Sequence, residues 1–532
     1  MKKKGVSRRK FVRLSALGAG AFTLNPFSWF KESDKVAPDL INELNHSGKM
    51  IFPRAFAFAI DDLGWNIGND SGDIDGVGPY RIGIDRKMDI TDYQGIVEVG
   101  RKVGTRIQCL FILSEMDREN ILAKYPSTTF MGANWDNSKN VCDEQIDIMK
   151  YVEENAAHME FGLHGVGHEY WVDGVKKRAE WYCQQDDHPW TQKSNEEHLQ
   201  LFRNIMEQYG WSQENGQSFP ESFVPCAYGY YWNPSGKYST GAVMSKVGVK
   251  YVNTLFDYIR ELNPPKGANG GGFDNGVIVI NRINYGNPWY ELASLPTVDI
   301  TEHETDIIET HWSNWLAQDK FLQQGVNDRF VAYYQMVNEQ PNRYVAKNTE
   351  QLHAQWLYNK YTKVTESVSG TVSIDNTKMP SQAYENNILG TMVLKIKLQK
   401  GEHISDAKLN GKSSAVYQEI AGYGLLYLPR LAQKKYELTY QIGNKKMPIL
   451  LDYTGTFNVY SFEPSYKKTK LEVRVYGTQD LVIQGIRKPH AAKISNPNLK
   501  IVKTNYEKAT KTYTLTLKAR DMQGETAMIR LI

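Results

Sequence analysis

Two histidines and two adjacent aspartates carry the residue types and spacing from which hydrolytic chemistry can be built. His164-Gly-Val-Gly-His168 sets two imidazoles four residues apart, and the glycines between them allow a tight turn that brings both onto one ion. A divalent metal suited to hydrolysis takes two or three nitrogen or oxygen ligands on a rigid frame and keeps one position open for water. Asp61 and Asp62 close the run Arg54-Ala-Phe-Ala-Phe-Ala-Ile60. Strand alternation would send their side chains in different directions, so one carboxylate can bind a metal while its neighbour hydrogen-bonds the attacking water. A lone Asp-Asp pair more often marks a solvated strand end, and a bare His-x-x-x-His is by default two unrelated side chains. It is the combination that points to a site.

The elements that must position these residues show as a rhythm. Alternation from Arg54 to Ile60 predicts a strand, and further strands are expected at Thr105 to Leu113, His158 to Leu163, Ser222 to Pro225, Val249 to Leu255, Gly276 to Ile283 and Thr305 to Thr310. Helical patterns lie between them, at Glu144 to Ala156 with apolar Ile146, Met149, Tyr151 and Val152, and at Asn195 to Tyr209. This predicts an α/β domain of parallel strands, either an open doubly wound sheet or a (β/α) barrel, with ligands at the C-terminal strand ends. The Gly- and Asp-rich stretch from Ile67 to Arg86 and the Trp/Tyr-rich segment from Tyr170 to Trp190 read as long insertions placed to wall a cleft. From about Ser367 the texture turns to short strands and turns, as at Gly390 to Leu398 and Thr512 to Leu517, which predicts one or two β-sandwich modules. For these modules, carbohydrate binding and a purely bracing role are both open. The expected organisation is an export signal over 1–30, a linker over 31–50, a catalytic domain over 51–360, and β modules over 367–447 and 448–532.

Three segments taken in order, Phe58-Ala-Ile-Asp-Asp62, Glu160-Phe-Gly-Leu-His-Gly-Val-Gly-His168 and Ile307-Ile-Glu-Thr-His311, resemble the first, second and last motifs of the polysaccharide deacetylase family, the chitin, peptidoglycan and xylan deacetylases. The resemblance covers roughly residues 51 to 320 and implies a distorted (β/α) barrel, here followed by the C-terminal β-sandwich modules. It implies Asp61 as catalytic base, Asp62, His164 and His168 as ligands of a divalent metal, with Zn2+ the expected ion, and His311 as the acid. The implied reaction removes N-acetyl groups from hexosamine units of a glycan, N-acetylgalactosamine or N-acetylglucosamine, and releases acetate. The backbone N–H of Tyr228 is a candidate oxyanion donor. Trp65, Tyr228, Trp232 and Trp312 adjoin the motifs and are candidates to stack on a sugar ring, and Asp257 is a candidate to support His311 or bind substrate.

The chain departs from the family pattern in two places. Leu63 and then Gly64 follow the aspartates, where the family has glycine at once, and Phe223 and Val224 stand where the third motif, matched by Val224-Pro-Cys-Ala-Tyr-Gly229, would open with an arginine that pairs with the base. Another group must therefore orient Asp61, or the charge there is tuned differently. Hydrolysis of an O-acetyl ester or another amide needs the same metal and base. A non-catalytic glycan-binding envelope protein would show a broken site, and a two-carboxylate glycoside hydrolase would need no metal.

Composition narrows the partners. The chain has 532 residues, too many for one core, and a net charge of only +3, so attraction to nucleic acid or anionic lipid is not its organising theme. Small or neutral polymeric substrates fit that balance better, and the glycan partner that the resemblance implies is of that kind. Lys2, Lys3 and Lys4, then Ser7-Arg8-Arg9-Lys10-Phe11-Val12, then the apolar run from Leu14 to Leu24 read as a twin-arginine export signal, which passes folded protein to the periplasm or beyond. No later stretch approaches the roughly 20 apolar residues of a membrane span. Cys109, Cys142, Cys183 and Cys226 are too widely spaced for a zinc knuckle, and leave both disulfides and free thiols open.

Overall fold

Strand β1 (Arg54–Leu63) is buried at nearly every position, as expected of a strand covered on both faces rather than one. The computed structural model describes residues 49–67, 84, 86–233, 238–256, 270–367 and 370–532. The segment read as an export signal, most of that read as a linker over 31–50 and most of the 67–86 stretch lie outside the described residues.

Six further strands complete a barrel with β1: β2 (Ile107–Ile112), β3 (Met159–Gly165), β4 (Ser222–Phe223), β5 (Tyr251–Thr254), β6 (Val277–Ile283) and β7 (Ile307–His311). Each pairs in parallel with the next, from β1 through to β7, and β7 returns to β1 with Ile307 opposite Ala57 and His311 opposite Asp61. Closure removes every free edge of the ring. β4 is only two residues long, so the barrel is distorted at that point. The expected (β/α) barrel followed by C-terminal sheets is the observed architecture.

Helices on the outside set the strand ends. α1 (Ile90–Val103) starts at Asp89, which caps Thr91 N–H and forms a capping box with Asp92, and it stops at Gly104 in the left-handed region at φ 74°. α2 (Asp143–Glu154) turns Ile148, Met149 and Val152 inward. Ile146, expected on its apolar face, is exposed at 38%, because the inward stripe follows residues 145, 148, 149 and 152. α3 (Gln192–Glu207) follows the aromatic insertion, which folds as two short hairpins, Tyr170–Val172 with Val175–Lys177 and Tyr182–Cys183 with His188–Pro189. Among the described residues no helix is long and apolar enough to cross a membrane. All four cysteines are free thiols.

The C-terminal strands form three sheets, of eight, five and four strands. The eight-stranded sheet is continuous across the whole region, because Val416–Ile420 pairs in parallel with Leu450–Asp452. Its outer strand is Met50–Ile51, the end of the segment read as a linker, with Met50 opposite Ile396.

This β region docks on the barrel's N-terminal end, opposite the mouth. Arg106, just before β2, donates to the carbonyls of Ala156 and Met522 at 2.8 and 3.0 Å and to Glu160 Oε2 at 2.8 Å. Thr349 adds a hydroxyl to the same Glu160 oxygen at 2.7 Å. Arg474 reaches back to Glu221 and Glu350 at 2.8 and 3.0 Å. Removing one member of such a buried pair leaves the other charge without a partner. Arg106→Ala is expected to cost about 3–5 kcal/mol, read by urea unfolding of the whole chain; a loss below about 1 kcal/mol would show that the barrel and the β region do not depend on this contact.

Candidate functional site

The two aspartates sit on a break in β1. Its register against β2 slips between Ile60 and Leu63, and Asp62 takes φ +70° and Gly64 φ +94°. This is a β-bulge, a device that re-aims side chains near functional sites. A Cβ on Gly64 would lie 2.2 Å from the Ile112 carbonyl oxygen, so no other residue fits there. The bulge corrects the expectation that alternation splits the pair. The two carboxylates take neighbouring partners, Arg282 for Asp61 and the imidazoles of His164 and His168 for Asp62.

His164 stands near the end of β3 and His168 in the loop beyond it at φ +65°. His164 Nδ1 lies 2.7 Å from the Val224 carbonyl, which can only accept, so Nδ1 carries the proton and Nε2 keeps its lone pair. His168 Nδ1 is tied in the same way to Glu169 Oε1 at 3.1 Å, an oxygen that Arg178 also reaches at 3.2 Å. The two Nε2 atoms lie 3.4 and 3.9 Å from Asp62 Oδ1. That oxygen is buried and has no hydrogen-bond partner among the described residues. Burial works to raise the Asp62 pKa, but His164 and His168 outweigh it and hold the carboxyl well below its usual range. An orphaned carboxylate oxygen facing two imidazoles whose other nitrogens are anchored is the donor set a divalent ion requires.

Cys226 competes geometrically for the same place: its Sγ and one nitrogen each of His164 and His168 lie within 4.8 Å of one another. Its thiol is otherwise engaged. It donates to the His164 carbonyl at 3.3 Å and lies 4.0 Å from Glu180 Oε2, and burial, with Glu180 and Asp62 close by, pushes its pKa well up. Asp62 Oδ1 and Cys226 Sγ are thus both near the two imidazoles, and only the carboxylate oxygen has no hydrogen-bond partner among the described residues. Cys183, Asp186 and His188 form a second group of possible ligands on the hairpin beside the mouth, where Lys177 already pairs with Asp186 at 2.8 Å.

The group that orients Asp61 is Arg282, on β6. Its two terminal nitrogens meet the two Asp61 oxygens at 2.9 and 2.5 Å, a bidentate pair in which both partners are buried. Burial alone would raise the Asp61 pKa; Arg282, helped by His164, reverses that and lowers it. Arg282 also lies 3.8 Å from Glu309 on β7. Glu309 takes the Tyr228 hydroxyl at 2.5 Å and lies 3.8 Å from His311 Nε2. His311, the last residue of β7, thus faces a buried carboxylate, and its Nδ1 has no hydrogen-bond partner among the described residues.

The structure therefore brings Asp61, Asp62, His164, His168 and His311 together at the C-terminal mouth. Other expectations need correction. The Tyr228 N–H donates to the Pro225 carbonyl at 3.1 Å and is not available as an oxyanion donor. The Tyr228 hydroxyl is held by Glu309 and its ring lies under Arg282, so it is a member of the charge network and not a sugar platform. Trp65, Trp232 and Trp312 are 1%, 3% and 3% exposed, packed against His168, Tyr230 and Tyr93 respectively, and present no open face. Asp257 lies outside the described residues. An exposed ring beside His311 is Trp289, 36% exposed and 6.5 Å from the imidazole, and Tyr290, 47% exposed, lies 5.4 Å from Trp289. Arg282, Glu309 and Glu169 were not singled out from the sequence. The signal for Arg282 was a charge inside the apolar run Val277-Ile-Val-Ile-Asn-Arg-Ile283.

No protein-family model and no curated protein matches the sequence. Among solved structures, the catalytic module of a family 98 glycoside hydrolase from Streptococcus pneumoniae TIGR4 matches in two complexes, with the LewisY pentasaccharide and the H-disaccharide blood group antigens. Identities are 11% and 10% over 82% and 83% of this chain, with a TM-score of 0.13 in both cases. The chain spans 65% of the length of those modules, and a superposition this poor carries no argument about fold or activity.

Arg282→Met should cost about 3–5 kcal/mol by stranding the Asp61 charge. Adding Asp61→Asn should restore at least half of that loss in denaturant unfolding, and strictly additive losses would show that the pair is not coupled.

Proposed function

We propose that this protein is a metal-dependent carbohydrate deacetylase that hydrolyses the N-acetyl group of a hexosamine unit, N-acetylgalactosamine or N-acetylglucosamine, in a glycan. The observation that carries the reading is the convergence of Asp62, His164 and His168 beside the Asp61–Arg282 pair. Asp62 and the two anchored imidazoles would hold the ion, which we take to be zinc and which, when bound, would supply Lewis acidity to the acyl oxygen and to a water.

The chain's own residues do the rest. Arg282 keeps Asp61 ionised and fixes the direction of its carboxylate, so Asp61 is ready to accept the proton of the attacking water. His311, on the strand next to β1, is placed to give a proton to the leaving amine nitrogen, with Glu309 3.8 Å behind its Nε2. Glu309 is itself held by the Tyr228 hydroxyl. Trp289 beside His311, with Tyr290 next to it, offers an exposed ring face, a suitable bed for the apolar face of the sugar whose nitrogen leaves. On this reading the twin-arginine segment delivers folded, metal-loaded enzyme to its glycan outside the cytoplasm.

The test is acetate release from a panel of N-acetylglucosamine, N-acetylgalactosamine and O-acetylated glycans, using metal-stripped protein with and without zinc. Release should require zinc, and Asp61→Asn should lower it by about 10²–10⁴-fold without loss of zinc binding. Zinc uptake with no acetate from any N-acetylated glycan would refute the substrate, and failure to take up zinc would refute the ligand set. Trp289→Ala should raise KM for the best glycan roughly 3- to 10-fold and leave turnover of a small aryl acetate unchanged; equal losses on both would remove Trp289 from the sugar site.

A further inference from the structure

The glycines of His164-Gly-Val-Gly-His168 do more than turn the chain. A Cβ on Gly165 would lie 2.2 Å from Glu180 Oε2, and one on Gly167 would lie 1.8 Å from the Thr128 carbonyl oxygen. Both positions stay bare so that an acid and a carbonyl can press against the loop. Glu180 Oε2 accepts the N–H groups of Val166, Gly167 and His168 at 3.0, 3.0 and 2.8 Å, and Oε1 takes a second bond from Val166 at 2.9 Å. The Glu180 N–H in turn donates to the His168 carbonyl at 3.0 Å. Successive backbone N–H groups converging on one negative charge make an anion cradle, and here the anion is part of the chain.

A second layer fixes the acid. Glu180 is fully buried, and His198 on α3 donates from Nδ1 to its Oε1 at 2.9 Å. The Ser127 hydroxyl lies 3.1 Å from the other ring nitrogen of His198, and Tyr170 stacks on the imidazole at 5.2 Å. The next residue, Trp181, donates its indole N–H to the His164 carbonyl at 2.7 Å. Through these bonds the segment around Glu180 holds the backbone at both histidines.

We propose that Glu180 is a positioning residue, a carboxylate clamp that presets the 164–168 loop for its ion, with His198 holding the clamp in place. The inference rests on His164 and His168 being metal ligands. Without the clamp, three consecutive N–H groups lose their acceptor and the ordering of His168 in its left-handed conformation must accompany ion binding. An amide replaces the acid only in part: with its oxygen at the Oε2 position, its NH2 would stand where Oε1 meets the Val166 N–H and the His198 Nδ1–H.

Zinc affinity, measured on the full chain by competition with a chelating dye, should fall roughly 10- to 100-fold in Glu180→Gln. His198→Leu should weaken zinc as well, whereas His198→Asn, which keeps a donor near the Nδ1 position, should recover most of it. In metal-free protein, amide exchange at Val166, Gly167 and His168 should speed up in Glu180→Gln while exchange in β2 is unchanged. Wild-type zinc affinity in both Glu180→Gln and His198→Leu would overturn the clamp. Should the wild-type protein take up no zinc, the metal reading falls and the clamp is judged by exchange alone, where unchanged protection of the three amides would overturn it. If Glu180→Gln does not fold, the His198 pair decides: equal zinc affinity in His198→Leu and His198→Asn would count against it.

Discussion

A carboxylate buried at the mouth of a barrel must be given a counter-charge or lose its own. Asp61 is 2% exposed, and the desolvation of an isolated charge there would shift its pKa upward until it was neutral at physiological pH. The bidentate bond from Arg282 reverses that shift, and the rest of the mouth is arranged around it. β6 does not pair with β1; β7 lies between them. Arg282 therefore spans a strand to reach Asp61, and Glu309 on the intervening strand sits within 3.8 Å of the same guanidinium. One cation beside two carboxylates leaves the cluster net negative, which favours positive charge on His164 and the presence of a cation. His164 shows this: burial lowers its pKa, but Asp61 and Asp62 more than reverse the effect.

The backbone bears a cost for the same arrangement. Asp62, His168, Ala227 and Tyr228 all take positive φ without being glycine, and such conformations cost of order 1–3 kcal/mol each and persist only where the surroundings over-determine them. The surroundings here are specific. Gly64 closes against Ile112, so the bulge at Asp62 cannot relax along β1. The loop at His168 is held through its N–H groups by Glu180. The turn at Ala227 and Tyr228 is pinned by the Tyr228 hydroxyl on Glu309 and by Gln184, which donates to the Ala227 carbonyl. Three loops that meet at the mouth are thus each fixed by a bond from a different part of the chain.

That division explains how much of the molecule could be read from its sequence. The barrel was legible because strand and helix periodicities are local, and the alternation of Arg54 to Ile60 or the apolar stripe of α3 needs no partner to be seen. The order of the motifs identified Asp61, Asp62, His164, His168 and His311 as a group. Arg282 was not legible as the partner of Asp61, since 221 residues separate them and only barrel closure makes them neighbours. The tryptophans failed for a different reason: a ring adjacent to a motif can face the mouth or the core with the same sequence, and Trp65, Trp232 and Trp312 face the core. The bulge at Asp62 was hidden because alternation has no signal for one extra residue, though the displaced glycine at 64 was its trace.

The position of the β region then limits the side from which the charge network can be reached. Its buried contacts are made with residues that precede strands: Arg106 before β2, Ala157 before β3 through Thr456, and Glu221 before β4 through Arg474. Gln523 continues the series by donating to the Phe161 carbonyl at 2.9 Å, low on β3. Lys395, buried in the eight-stranded sheet, adds three bonds to the carbonyls of Asn338, Gln340 and Arg343 at 2.6–2.7 Å. All of these lie at the end of the barrel away from Asp62 and His311. The N-terminal face is therefore covered by the β region, and among the described residues the charge network lies at the mouth, where the hairpins of residues 170–189 and the loop that carries Trp289 follow strand ends. That loop is tied to the segment following His311, because Asn314 donates to the carbonyls of Pro288 and Glu291 at 2.8 and 2.9 Å and Ser313 donates to that of Trp289. A ring face offered by Trp289 is consequently fixed relative to His311 by a few bonds across one turn, which is the condition for a binding surface to set the orientation of a group at the reacting centre.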